Sequence, residues 1–568
     1  MYIATVPNRS SPPAILLRES YREGNKVRTR TLANLSSLTA VQVEGMRRAL
    51  KGDKLVSPED VFEKVRDETH GSVHAVTETM RRIGFSSLID SRPSPERDLV
   101  VAMVIARILD PESKLGTVRW WHTTTLAKDL AIEGADEEDA YAAMDWLFSR
   151  QSAIEAKLAK RHLREGAHAL YDLSSSYFEG TTCPLAKLGH NRDGKRGKLQ
   201  VNYGLVTDRR GCPVAISVFA GNTADCTTVV SEVERIRQEF GLREIVAVGD
   251  RGMISRKQIT AFGAMEGVEW VTALRTESIK KLVTSGALQL GLFDKRNLLA
   301  VEHPDFPGER LIACKNVELA RLRAHKRESL LVATQVELDK IRARVKNGRL
   351  SEKAKIGIAV GRVVNTYKVA KHFEVEITDT SFDYRRRQRA IVEEASLDGV
   401  YVVRTSLPQT SADDAETVRA YKDLANVERA FRTMKTMSLK VRPIHHRLEI
   451  RVRAHIFLCM LAFYVEWHMR EALRPILFSD EEQDAKQSRD PVAPAKRSET
   501  ALRKVHTRKL DDDTVVHSFA TLLDELATIT RSTMRRKDAS DNEPTFTLLT
   551  SLSPLHQKAF NLLAQIQL

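Results

Sequence analysis

The sequence predicts an α/β fold: a mixed five-stranded sheet flanked by helices, preceded by a helical domain and interrupted by an inserted α+β domain. Three observations lead there. From about residue 165 the apolar pattern turns to strand alternation in AHALYDLSSSYF, QVNYGLVTD and PVAISVFAGN. EIVAVGD then strings small and apolar residues together without alternation, the mark of a strand covered on both faces. YKDLANVERAFRTMK, much later, sorts on a helix into an apolar stripe, a solvated side and a third line of residues between them.

At 568 residues the chain is too long for one core, so several structural units are expected. Hydrophobic content of 42% with 29% charged residues excludes a disordered chain. The net charge of +14 favours a polyanionic partner, nucleic acid before anionic membrane. The five cysteines show neither a CxxC pair nor histidines at zinc spacing, and read as reduced and mostly buried. The N-terminus lacks an apolar signal core, and the longest apolar run, Ile456 to Val465, is too short to span a bilayer. The expectation is a cytoplasmic protein without membrane contact, nucleoid-associated when bound to DNA.

In chain order, residues 1–60 read as a small basic hairpin region turning at Glu23-Gly24-Asn25, either an ordinary edge hairpin or one that touches a phosphate backbone. Residues 61–164 read as a helical, DNA-binding domain. There Trp120 and Trp121 follow Lys114 and Arg119, a mixture found both in cores and in nucleic-acid sites. Residues 165–275 form the first part of the sheet, with a helix from Asp225 to Phe240 that Asp225 is placed to cap. Residues 276–395 read as the insertion, with a charged helix from Val317 to Val345 and a basic cluster, Tyr384-Arg385-Arg386-Arg387. GVYVVRTSL returns the chain to the sheet within 396–475. Residues 476–568 read as a linker broken by Pro491 and Pro494, then a helical C-terminal region.

On the Tyr421–Lys435 helix, Leu424, Val427, Phe431 and Met434 form the apolar stripe, while Lys422, Asp423, Asn426, Arg429 and Thr433 face solvent. Tyr421, Glu428 and Lys435 are seven apart and drift only about 20° per step along one line. A plain amphipathic helix has no need of that line. Three antiparallel strands, a helix, a buried parallel strand, a helix and a strand make the RNase H-like layout, in which the first and fourth strands are neighbours. Asp172 on the first and Asp250 at the end of the fourth would then converge near strand ends, where open α/β sheets place their sites. A helix crossing that edge brings Glu428 to the same point. Three hard oxygen ligands suit Mg²⁺, and two ions about 3.5–4 Å apart serve in-line phosphoryl displacement.

YDLSSSYFEG, GNTADCTT, VAVGDRGMIS and YKDLANVERAFRTMK resemble the DDE transposases of bacterial insertion sequences, and most nearly their insertion-sequence-4-like group with its Y-R-E-K signature. Tyr421, Glu428 and Lys435 match that signature in place; Leu424 stands where its arginine is expected, and Arg432 is the substitute nearest on the helix wheel. The resemblance implies a transposase that cleaves double-stranded DNA at the ends of its element and transfers the strand into target DNA. Asp172, Asp250 and Glu428 would be catalytic and hold two Mg²⁺ ions, with Mn²⁺ as a substitute. It also implies a homodimer on paired ends, with Tyr421 and Lys435 near the phosphates of the cleaved end. His190, Arg192, Lys195 and Arg196, in the loop GHNRDGKRGK, are further DNA-contact candidates; the same loop also reads as merely solubilising. Two other readings are an RNase H-like nuclease that cuts without strand transfer and a catalytically silent, transposase-derived DNA-binding protein.

Overall fold

The strand carrying Asp172 lies inside a sheet of eight strands. In chain order these are β1 (Ala167–Tyr177), β2 (Gln200–Thr207), β3 (Pro213–Ala220), β4 (Ile245–Val248), β5 (Val268–Ala273), β6 (Leu298–Val301), β7 (Arg310–Lys315) and β8 (Val400–Thr405). Their spatial order is β6-β7-β8-β5-β4-β1-β2-β3. Strands β1, β2 and β3 form an antiparallel meander, and β4 lies parallel to both β1 and β5. The computed structural model describes residues 1–9, 11–54, 57–482, 490–493, 496–538 and 544–568. Pro494 and parts of the expected linker lie outside the described residues.

Five strands were expected and eight are found. Besides β8, which was expected to rejoin the sheet, NLLAVE and ERLIACK pair with it as β6 and β7 instead of belonging to the insertion. Their apolar residues make them strands, but their partners are set by long-range register. What departs from the sheet is residues 317–398, which enter and leave at neighbouring points: the Asn316 amide donates to the Gly399 carbonyl at 2.9 Å. Gly399 has φ +75, and a Cβ there would stand 2.2 Å from the Asn316 carbonyl oxygen, so the turn requires glycine. The segment has its own core, in which Leu331, Leu338 and Ile341 of the Val317–Lys346 helix meet Ile356, Phe373 and Phe382. The Tyr384–Arg387 cluster is largely neutralised locally: Arg385 pairs with Glu374 and Arg386 with Glu328.

Two units divide the chain, residues 1–68 with 530–551 and residues 69–529 with 552–568. In the first, Ala14–Glu23 pairs with Lys26–Asn34 around Gly24, and Tyr2–Val6 adds on the other side. A second sheet joins Phe62–Thr69, Thr530–Arg536 and Phe546–Leu549. Helix was expected at 62–69, and only helices at the C-terminus. FEKVRDET exposes a run of four residues and TRSTMRR is half-buried almost throughout, so period-2 burial leaves little trace in either.

In the second unit the helices between residues 71 and 162 share one continuous core with the sheet. Trp121 is fully buried there, which makes it a core residue and not a nucleic-acid contact. The Glu449–Ala472 helix, almost wholly buried from Val452 to Met469, runs through this core. A buried polar knot ties the helical layer to the sheet. Glu155, on the Gln151–His162 helix, accepts from the Ile216 amide at 3.0 Å and from Gln151 Nε2 at 2.8 Å, and pairs with Arg235. Arg235, on the Val229–Phe240 helix, also donates to Ser217 Oγ at 2.8 Å.

Strand β1 is held in place from its neighbour. Tyr171 lays its ring across Gly204 of β2 and donates its hydroxyl to Thr228 Oγ1 at 3.0 Å. A Cβ on Gly204 would meet the Tyr171 hydroxyl at 2.1 Å. Gly204→Ala is therefore expected to destabilise the protein by about 1–3 kcal/mol through overpacking. A lowered urea midpoint at unchanged slope checks it.

Candidate active site

Register alone brings the first two acids together. In the parallel β1–β4 pair Leu170 lies opposite Val248, so two residues further along each chain Asp172 and Asp250 come abreast. Asp172 still belongs to β1 and accepts from the Leu173 amide at 2.8 Å. Asp250 begins the turn after β4, where its Oδ1 accepts from the amides of Gly252 and Met253, both at 2.8 Å. Glu428 projects from the Leu424–Arg432 helix, which packs on β1. All three line one cavity of about 960 Å³, together with Tyr421.

That helix is shorter than the predicted one. Asp414–Lys422 ends at Asp423, Leu424–Arg432 restarts, and Thr433–Met437 winds as a π-helix. The apolar stripe survives: Leu424, Val427, Phe431 and Met434 are all buried. Each contributes about 1.5–3 kcal/mol by leaving water. The expected solvent face is only partly one. Asp423 pairs with Arg209 at 2.6 Å, and Asn426 donates to the Arg209 carbonyl at 3.0 Å, so both clamp the β2–β3 turn. Within the π turn the helical phase shifts and the extrapolated line fails. Thr433 is buried, and Lys435 turns inward to Asp193 at 3.2 Å. Asp193 is itself a buried carboxylate that also pairs with Arg442 and accepts from the Tyr177 amide at 3.0 Å. No local pattern pointed to it, because its partners are far away in the chain.

The other DNA-contact candidates lie off the cavity. Arg432, His190, Lys195 and Arg196 are exposed, with the Lys195 ammonium 5.9 Å from the Tyr177 ring centroid. Arg192 is half-buried and pairs with Asp225 at 2.5 Å, so Asp225 does not cap the following helix, which begins at Val229 after a short 3₁₀ turn. Several cations that line the cavity were not singled out from the sequence, among them Arg251 beside Asp250, Arg323 and Lys326 on the Val317–Lys346 helix, and Lys371, which pairs with Glu394. Arg251 had a legible signal, since it sits within VGDRGM; the others required knowing that the insertion faces the sheet edge. Leu424 lines the same cavity.

Burial and mutual repulsion set the electrostatics of the cavity. The Asp172 carboxyl is pushed up to about 7, first by burial and then by the charges of Asp250 and Glu428, while the Leu173 amide and the Arg192 charge pull it down. The Tyr421 hydroxyl is pushed up to about 12 by burial and by the same two acids, against the opposing charge of Arg251. Three mutually repelling carboxylates in a partly desolvated pocket are a hard-oxygen donor set, and a divalent cation relieves their repulsion. The residues therefore fit such an ion. Among the described residues the one set of three ligand atoms within 4.8 Å of one another is elsewhere, at His162, Cys212 and His468, so the carboxylates stand wider apart than that.

Two family models match the chain. A family model described as "Transposase DDE domain" matches residues 178–465, which include Asp250 and Glu428 and begin just after Asp172. A second, "IS1634 family transposase, N-terminal domain", matches residues 3–64. No curated protein matches the chain. Among solved structures, a piggyBac transposase synaptic complex with hairpin DNA is similar at 9% identity over 78% of this chain and 85% of that one, with a TM-score of 0.32. A Mos1 transposase paired-end complex with left transposon end is similar at 9% identity over 34% and 62%, with a TM-score of 0.15. Among the described residues no helix is long and apolar enough to cross a membrane.

Proposed function

Since this chain belongs to the DDE transposases of bacterial insertion sequences, we propose that it cleaves double-stranded DNA at the ends of its element and joins the freed strand to target DNA at the Asp172–Asp250–Glu428 cavity. The observation that carries this is the convergence of three carboxylates from distant segments on one cavity with a cationic rim. The strand order from β5 to β3 supports an RNase H-like core. Asp172, Asp250 and Glu428 would hold divalent metal, Mg²⁺ first and Mn²⁺ as a substitute, and two ions would suit in-line displacement. When bound, such ions supply charge stabilisation to the attacking and leaving oxygens of a phosphodiester.

The chain's own residues do the rest. Arg251, Arg323, Lys326 and Lys371 draw a phosphate backbone toward the acids and offset their charge. Tyr421 keeps its proton at neutral pH and donates it in a hydrogen bond to a phosphate oxygen. Lys435, locked to Asp193, supports the loop after β1 in place of contacting the cleaved end. Arg251 takes the role expected of an arginine at Leu424, because it shares the cavity with Tyr421 while Arg432 does not. His190, Lys195 and Arg196 are left to contact DNA outside the cavity, and pairing of two ends calls for two copies of the chain.

Arg251→Ala is expected to weaken end-DNA binding at every sequence and to reduce the slope of log K against log salt by about 1. Fluorescence anisotropy at several salt concentrations checks it. The function itself is tested by incubating the protein and Mg²⁺ with the DNA flanking its own gene plus a target plasmid. Cut ends and joined products are expected, and chelation should remove both. Nicks without joined products would mean a nuclease, and binding without cleavage a silent DNA-binding protein.

A further inference from the structure

On the other side of the β2–β3 turn from the Glu428 helix lies a second group of donor atoms with different chemistry. His162 ends the Gln151–His162 helix, Cys212 leads into β3, and His468 projects from the buried Glu449–Ala472 helix. One ligand atom from each lies within 4.8 Å of the others. Cys212 Sγ is 4.0 Å from His162 Nε2, against about 3.6 Å for two such donors on one tetrahedral zinc. His468 is 7% exposed, and its Nε2 is buried with no hydrogen-bond partner among the described residues. An orphaned ring nitrogen in a protein interior costs free energy that a ligand would recover. Beside the group is a cavity of about 490 Å³, lined by His162, His468, Arg210 and Glu471, with room for water as a further donor.

We propose that His162, Cys212 and His468 form a second metal site, selective for a borderline-soft divalent cation of the Zn²⁺ class and separate from the carboxylate site. A thiolate with two imidazoles suits zinc and is a poor set for Mg²⁺, which prefers oxygen. His162 Nε2 now contacts the Tyr464 hydroxyl at 3.1 Å, a hydrogen bond that metal would displace. Binding converts the Cys212 thiol to a thiolate and releases one proton to solvent. Nearby charge can compensate: Arg210 already pairs with Asp208, whose Oδ1 accepts from the Cys212 amide at 2.8 Å. The site would join the helical layer, the β2–β3 turn and the central helix. Because Arg209 of that turn clamps Asp423 and Asn426, the metal would be a positioning device for the helix that carries Glu428.

The test is a Co²⁺ titration of the full-length protein after chelation under reducing conditions. An intense near-ultraviolet thiolate-to-cobalt absorption is expected, saturating at one equivalent. Zn²⁺ should displace it and excess Mg²⁺ should leave it untouched. Zn²⁺ should also raise the melting temperature of the metal-free protein by several degrees. Cys212→Ser should lose the band while keeping the wild-type far-ultraviolet circular dichroism. His468→Gln should weaken Co²⁺ binding by on the order of 100-fold, at least as much as losing an outer-shell partner costs. Absence of the thiolate band from wild-type protein would overturn the proposal, whatever the variants do, and so would a band that survives Cys212→Ser in folded protein.

Discussion

Alanine at Asp172, Asp250 or Glu428 is expected to lower DNA cleavage by on the order of 10³-fold or more, the scale on which one preorganised electrostatic contact to a transition state is worth having. End binding should survive each change, because the cations of the rim are untouched and phosphate contacts supply most of the affinity. Asp172→Ala and Glu428→Ala should also be as stable as the wild type or more so, because Asp172 is partly desolvated and repelled by both other acids. Asp250→Ala gives up two amide contacts, at Gly252 and Met253, which offsets the relief. A gel assay of cleavage, an anisotropy titration and a thermal melt on the same preparations separate these effects. Loss of cleavage with loss of folding would point to a structural role, and wild-type cleavage in any variant would remove that residue from the site.

The second large effect concerns stability. Arg235→Ala is expected to cost about 3–5 kcal/mol, because it leaves the fully buried Glu155 carboxylate without its counter-charge. Glu232, 3.5 Å from the same guanidinium, loses a partner too. Chemical denaturation should show the loss as a lower midpoint. A combined Glu155→Gln and Arg235→Met protein should regain much of it, since a matched neutral replacement for a buried pair is often neutral or stabilising. If the double variant were no more stable than the single one, the Arg235 effect would come from lost packing of its stem and not from the orphaned charge.

The sequence made some of this site readable and hid the rest for identifiable reasons. Asp172 and Asp250 were legible because β1 and β4 are patterned by burial on each strand, a local property. The strip from Leu424 to Phe431 was legible because a helix repeats its phase. That reasoning fails at Asp423, where the helix is interrupted, and again after Arg432, where the π turn rotates Lys435 toward Asp193. A wheel drawn at constant angle has no means of showing either break. Strands β6 and β7 were legible as strands, but their place in the sheet depends on pairing with β8, far along the chain. Arg323 and Lys326 read as charges on a solvated or DNA-facing helix, and only the fold sets that helix over the cavity. The His162–Cys212–His468 group is likewise invisible to any search by ligand spacing, since each member arrives on a different element.

The adjacency of Asn316 and Gly399 bears on how the chain reaches this fold at all. Residues 317–398 have a core of their own and return to within one hydrogen bond of where they left. A segment built this way can collapse before the sheet is complete, and in doing so it presents its two ends already joined. Strand β8 then reaches β7 and β5 as a local event, without first closing the whole intervening stretch as a flexible loop. Glu428 comes after β8 in the chain, past the Asp414–Lys422 helix. A segment that contributes none of the three acids of the candidate site thereby shortens the loop that must close to bring Glu428 to the other two.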